Sequence, residues 1–259
     1  MNLVIKEYHK RARLLLENWQ DQPASSAGFS EDHPAELAAR VELVLLTADA
    51  SISEINKLCK TALTLKVAGV CVNPVHVERC VQLLDGKIPV SCVVAFPLGA
   101  NHAKTKVFET ELAASQGAET LEMVLNRGLL KTSNFQEVFE ELRAVRHACP
   151  DSNLTVILET GQLEPMQIII ACLLCREAGV DDVKNATEYH KSQELVESIS
   201  LMRSVLGEDL GIIAGGIPID REILLSCLKA GANRVSLDVG AGNESLSDLL
   251  NDSDSAVIT

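Results

Sequence analysis

Short apolar runs alternate with longer stretches of helical period along most of this chain. The runs fall at Val41–Thr47, Ala68–Asn73, Pro89–Ala95, Thr120–Leu125, Leu154–Glu159, Val180–Lys184, Leu210–Ala214 and Arg234–Asp238, each of strand length. Between them, amphipathic stretches predict helices near Ser51–Lys66, Pro74–Leu84, His102–Gln116, Phe135–Ala148, Pro165–Ala178, Ser192–Leu206 and Asp220–Ala230. A weaker one follows at Glu244–Asn251. Ser51, three residues before Glu54, has the spacing of a capping box. Gly117, Gly179 and Gly231 stand where a left-handed residue ends a helix.

Strict alternation of strand and helix implies a parallel sheet, and eight such units close it into a barrel. The fold class is therefore α/β, a (β/α)8 TIM barrel with an extra N-terminal helix. An open doubly wound sheet is the competing topology; no Gly-x-Gly-x-x-Gly follows the first strand, which weighs against it. Met1–Gln20 mixes Lys6, Lys10, Arg11, Arg13 and Glu17 with apolar positions, as an amphipathic helix does and a signal peptide does not. Gln20–His33 is rich in Pro, Ser and Gly and reads as a linker. The expected organisation is an N-terminal helix and linker over 1–33, the barrel over 34–251, and a flexible tail over 252–259.

Composition sharpens this picture. Hydrophobic residues reach 47% while aromatics are only 3%, so the core must be aliphatic, as in parallel sheets buried on both faces. A net charge of −13 speaks against nucleic acid as a partner, since no basic stripe is available to displace counterions. No apolar run is long enough to span a membrane. The eight cysteines lie singly in apolar runs, and Cys172 and Cys175 form a CxxC within a predicted helix with no second pair. They read as core packing in a reducing, cytoplasmic setting rather than as a disulfide framework or metal site. His76, His102 and His190 fall in loops or helix starts and read as surface or capping residues, and Lys104 as part of a solvated face.

In such a barrel, active sites gather at the C-terminal ends of strands. The residues there are Thr47, Asn73, Phe96–Pro97, Glu122 with Asn126, Glu159–Thr160, Lys184, Gly215–Gly216, and Asp238 with Gly240. Lys184 at the inner rim is a candidate Schiff-base nucleophile, because a partly desolvated ammonium loses its proton more easily. The alternative is a lysine reaching past the strand end to solvent. Glu122, inside an apolar strand, is either a general acid/base or the partner of Lys184. Gly215–Gly216 could let backbone amides approach an anion, or could simply form a tight turn.

Together and in order, these segments resemble the deoxyribose-phosphate aldolase family. The resemblance runs from about Ala38 to Gly242. It is carried by Val70–Pro74, Ala95–Asn101, Lys104–Glu111, Gly117–Asn126, Gly128–Lys131, Val156–Gly161, Glu177–Lys184 and Ala214–Ile217. It implies cleavage of 2-deoxyribose 5-phosphate to acetaldehyde and glyceraldehyde 3-phosphate through a lysine Schiff base, with neither metal nor cofactor. Lys184 matches the Schiff-base lysine and Glu122 the acid/base carboxylate. Gly215, Gly216, Asn185, Thr187 and Asp238 match the substrate-binding positions.

The departures matter as much. Ile213 stands where the resemblance implies a second lysine. Without that charge a lysine of ordinary pKa is only roughly one part in two thousand neutral at pH 7. Asp182, on the same strand face as Lys184, is expected to favour the ammonium further. Glu122 is one methylene longer than the aspartate implied, and a misplacement of about an ångström can cost ~100-fold in rate. Glu42-Leu43-Val44 replaces a polar cluster with a mostly apolar one. Glu188 replaces a glycine, and Asp238 and Val239 replace serines, so a phosphate would meet carboxylates.

Three readings follow. The first is an aldolase-type carbon–carbon lyase acting on a small aldehyde or sugar (phosphate), with a homo-oligomer as its expected assembly. The second is a catalytically silent barrel acting as scaffold or regulator. The third is a small-ligand binding module.

Overall fold

The structure is a computed structural model that describes residues 2–19, 33–189, 194–239 and 249. Eight strands form its centre: β1 (Val41–Leu45), β2 (Gly69–Val72), β3 (Val90–Val94), β4 (Thr120–Val124), β5 (Asn153–Ile157), β6 (Asp182–Lys184), β7 (Gly211–Ala214) and β8 (Arg234–Asp238). All neighbours pair in parallel and in chain order, and β8 returns to β1, closing the barrel. Around it lie α1 (Asn2–Trp19), α2 (Pro34–Ala38), α3 (Ile52–Leu65), α4 (Val77–Leu84), α5 (Ala103–Ser115), α6 (Arg127–Lys131), α7 (Phe135–Ala148), α8 (Pro165–Ala178), α9 (Leu195–Leu206) and α10 (Arg221–Lys229).

Side chains on a strand alternate between faces, and here the two faces have different jobs. Outward residues such as Leu43, Leu45, Val70, Val94, Met123, Val156, Val183, Ile212 and Leu237 merge with the buried faces of the helices into one continuous core. Inward, only Val44, Leu46, Cys71 and Val93, with Phe96 against them, form a separate apolar cluster. Buried polar residues share that interior: Glu42, Ser91, Glu122, Lys184 and Ser236. The stability of the barrel therefore comes from its outer layer, which leaves the axis for charged groups.

α8 is buried on nearly every side from Ile168 to Cys175, because α1 lies across what would be its solvent face. The Tyr8 hydroxyl and Arg11 Nη1 both donate to the carboxylate of Glu177 at the end of α8, the latter at 2.7 Å. Tyr8 also meets Phe135 edge to face with centroids 5.7 Å apart.

The expected elements are present with shorter strands, since pairing stops where the chain turns out of the sheet. Pro74–His76 is a separate turn of 3₁₀ helix before α4. Two five-residue helices, α2 and α6, were not anticipated, being too short to show a period. The expected linker, except His33, the helix at Glu244–Asn251, except Leu249, the start of the Ser192 helix and the tail lie outside the described residues. All eight cysteines are free and buried. His102 caps α5, its Nδ1 accepting from the Lys104 amide at 3.2 Å. No helix among the described residues is long and apolar enough to cross a membrane.

Ser51 caps α3 as its spacing predicted: its Oγ accepts from the Glu54 amide at 3.3 Å, and Glu54 answers the Ser51 amide at 2.7 Å. Ser51→Ala is expected to cost about 1 kcal/mol, lowering Tm by about 2–4 °C in a calorimetric scan.

Candidate active site

Even positions of β1, β4 and β6 project inward, which brings Glu42, Glu122 and Lys184 together on the barrel axis. They are 1%, 0% and 1% exposed, so their charges answer one another and not water. Lys184 Nζ donates to Glu122 Oε2 at 2.9 Å and lies 3.7 Å from Glu42 Oε2. Glu42 is held from both sides, accepting from Ser91 Oγ at 2.8 Å and from Ser236 Oγ at 2.9 Å. Glu122 Oε1 has no hydrogen-bond partner among the described residues.

Two carboxylates facing one ammonium set the protonation states. Burial alone would pull the Lys184 amine down, but Glu122 and then Glu42 outweigh it and hold the pKa above its ordinary value. Glu122 is pushed up to about 7, by burial first and by the charge of Glu42 second. Burial pushes Glu42 up as well, but Lys184 and Arg234 overcome that and keep it below the usual range. A carboxyl near pH 7 in contact with an amine is the pairing that general acid/base chemistry needs.

Asp182 plays another part than expected. It sits one layer below Lys184, where Arg234 Nη2 donates to its Oδ2 at 2.8 Å. The room for that pair comes from Gly211, where a Cβ would lie 1.8 Å from Asp182 Oδ1. The carboxylates acting on Lys184 are those of Glu122, Glu42 and Glu188. Likewise, β1 is not the apolar replacement its sequence suggested: Leu43 turns outward, and Glu42 supplies a buried charge at the axis. Period-two alternation was the signal that could have shown this.

Above this layer, β6 runs into Asn185, Ala186 and Thr187. The Asn185 amide is spent on the turn after β7: Nδ2 donates to the Gly215 carbonyl at 3.1 Å, and Oδ1 accepts from the Gly215 amide at 2.7 Å. Thr187 Oγ1 and the Thr187 amide both donate to Glu159 Oε2, whose carboxylate also lies 3.5 Å from Arg127 Nη1. Asn185 and Thr187 thus brace the rim through protein contacts. Asp238 ends β8, with its backbone opposite Val44. Phe96, just past β3, and Tyr189, five residues past β6, meet edge to face with centroids 5.5 Å apart.

Glu42, Cys71 and Glu122 bring possible metal-ligand atoms within 4.8 Å of one another. The charge that balances those two carboxylates is the Lys184 ammonium, and burial pushes the Cys71 thiol well up, away from the thiolate a metal prefers. The donor set suits a buried amine better than an ion.

A closed eight-stranded parallel barrel with a buried lysine ending β6 and a carboxylate 2.9 Å from it on the axis has the architecture of an aldolase-class TIM barrel. The comparisons make the assignment narrower. The sequence profile described as DeoC/LacD family aldolase matches residues 37–245, so the chain belongs to that family. It is 36% identical over 209 residues to the deoxyribose-phosphate aldolase of Mannheimia succiniciproducens, covering 80% of this chain and 93% of that one. Against the Brevibacillus brevis enzyme of the same name the identity is 39% over 201 residues, covering 77% and 91%. Among solved structures, a Coccidioides immitis protein assigned as a deoxyribose-phosphate aldolase superposes with a TM-score of 0.81 at 32% identity, covering 90% and 95% of the two chains.

Proposed function

We propose that this chain is a class I aldolase-type lyase, in which Lys184 forms a Schiff base with a small carbonyl substrate and Glu122 shuttles protons. The observation that carries this reading is the 2.9 Å contact between Lys184 Nζ and Glu122 Oε2 on the barrel axis, closed off from water. Lys184 passes a proton to Glu122 and becomes the neutral amine a nucleophile must be. The amine adds to the substrate carbonyl and one water leaves, Glu122 returning its proton to the departing oxygen. Glu122 then takes the proton of the β-hydroxyl. The carbon–carbon bond breaks, its electron pair passes into the iminium to give an enamine, and the far fragment departs as an aldehyde. Protonation of the enamine and addition of one water release the second carbonyl compound and restore Lys184.

Ile213, buried beside Lys184 in the sheet register, supplies no charge to ease the first step. The reaction is therefore limited by how seldom the ammonium gives up its proton. Substrates in this reading are small aldols of the deoxysugar kind, after the names of the relatives. Eight free buried cysteines fit a reducing compartment such as the cytoplasm. A homo-oligomer is the assembly to look for, because the barrel of the same name from Aeropyrum pernix, 21% identical, was solved as a tetramer.

Borohydride reduction in the presence of acetaldehyde tests the reading. Mass spectrometry should find one reduced two-carbon adduct on the peptide carrying Lys184, and none in Lys184→Ala. An unmodified Lys184 with acetaldehyde and with larger aldehydes alike would leave a barrel without aldolase chemistry.

A further inference from the structure

The turn Gly215–Gly216, just past β7, presents two consecutive backbone amides, an arrangement that can cradle an anion. Here both amides are taken by the chain itself. Asn185 Oδ1 accepts from Gly215 at 2.7 Å, and Glu188 Oε2 accepts from Gly216 at 2.6 Å. Glu188 reaches this place from a backbone with φ +75, a left-handed conformation that a side chain other than glycine's adopts at a cost. Such a residue persists where its side chain is needed. Its second oxygen, Oε1, is buried and has no hydrogen-bond partner among the described residues. That oxygen lies close to the lysine stem beside the turn: a Cβ placed on Gly215 would meet it at 3.0 Å and Lys184 Cε at 2.8 Å. Burial first, and then the neighbouring Asp238 and Glu122 charges against the pull of Lys184 and the Gly216 amide, push this carboxyl up to about 7.

We infer that Glu188 is a built-in anion at the Gly215–Gly216 turn, and that it selects aldol substrates ending in a hydroxyl over those ending in a phosphate. Resting on the aldolase reading above, this gives the substrate class as an unphosphorylated deoxysugar or hydroxyaldehyde. The free Oε1 accepts the hydrogen of the terminal hydroxyl. A phosphate dianion brought to the same turn finds both amide donors engaged and a carboxylate in its place, and like charges at close range discriminate strongly.

Two measurements, both at pH 8.5 where Glu188 is ionised, separate this inference from the reading it rests on. The first is calorimetric titration with inorganic phosphate, which needs no turnover. The intact protein should show no binding at millimolar phosphate, whereas Glu188→Gly should bind it at least ~10-fold more tightly. That variant places glycine where the backbone is left-handed, so it is expected to fold without loss, which its unfolding curve checks. Equal phosphate affinity in both proteins overturns the inference. The second is the ratio of kcat/KM for 2-deoxyribose over 2-deoxyribose 5-phosphate. It should exceed one in the intact protein and fall by about 100-fold or more in Glu188→Gly. A ratio below one in the intact protein also overturns it. If neither sugar is cleaved and Lys184 is never trapped, the aldolase reading fails alone, and the phosphate titration still decides what Glu188 does.

Discussion

Replacing Lys184 by methionine is expected to destabilise the barrel by about 3–5 kcal/mol at pH 7.5, because it strands two buried carboxylates without their cation. Volume is nearly conserved, so the loss comes from charge and not from a cavity. Glu42 keeps its two serine donors and has Arg234 at the next layer, but Glu122 keeps nothing. Without the cation that opposes it, burial is expected to raise both carboxyls in the folded variant above their ordinary value of 4.5. For a carboxyl raised in this way, the stabilisation is complete below the unfolded pKa and disappears as pH climbs through the folded one. The deficit of Lys184→Met relative to the intact protein should therefore be largest at pH 7.5 and smaller at pH 5. Urea unfolding at the two pH values measures it. A deficit under about 1 kcal/mol at both would show that the cluster does not hold the axis together.

That expectation could not have been drawn from the sequence, although much of the fold could. The outer layer was legible because short apolar runs of strand length alternate with stretches of helical length, and two of these, Phe135–Ala148 and Pro165–Ala178, agree with the observed helices residue for residue. Closure of the sheet followed from counting eight units. The interior was harder, because it depends on which side of each strand faces in and on which groups meet across the axis. Glu42 and Asp182 show the difficulty. Both are acids that open or enter an apolar strand; yet one lands within 3.7 Å of Lys184 while the other is neutralised by Arg234 from β8, a partner 52 positions away. Lys106 is a further case. Only Lys104, two residues before it, reads as part of a solvated face; the Lys106 ammonium is wholly buried, 2.7 Å from Glu141 and 2.9 Å from the Val124 carbonyl. Glu188 was visible as a substitution for glycine. Its consequence, a carboxylate on the Gly216 amide, required the turn geometry.

Glu122→Gln is expected to lower kcat/KM by about 10²–10⁴-fold while leaving the fold as stable as before at pH 7.5, or more so. The two effects have one origin. Three charges on the axis carry a net negative excess, and Glu122 is the member that burial and Glu42 push up to about 7. Glutamine removes the excess and leaves Lys184 and Glu42 as a one-to-one pair. Between pH 4.5 and 7 the intact protein should lose stability as pH rises, because the unfolded chain releases the Glu122 proton while the fold retains it. In the variant this slope should flatten. Catalysis changes the other way, since an amide can neither take the Lys184 proton nor receive that of the β-hydroxyl. Lys184 itself remains, with one carboxylate fewer to hold its charge, so prolonged borohydride treatment should still trap acetaldehyde on it, only more slowly, with solvent taking the proton. Persistent trapping with collapsed turnover assigns Glu122 to proton transfer rather than to anchoring the lysine. Turnover equal to that of the intact protein would reduce Glu122 to a counterion and leave the proton's route to another group at the rim.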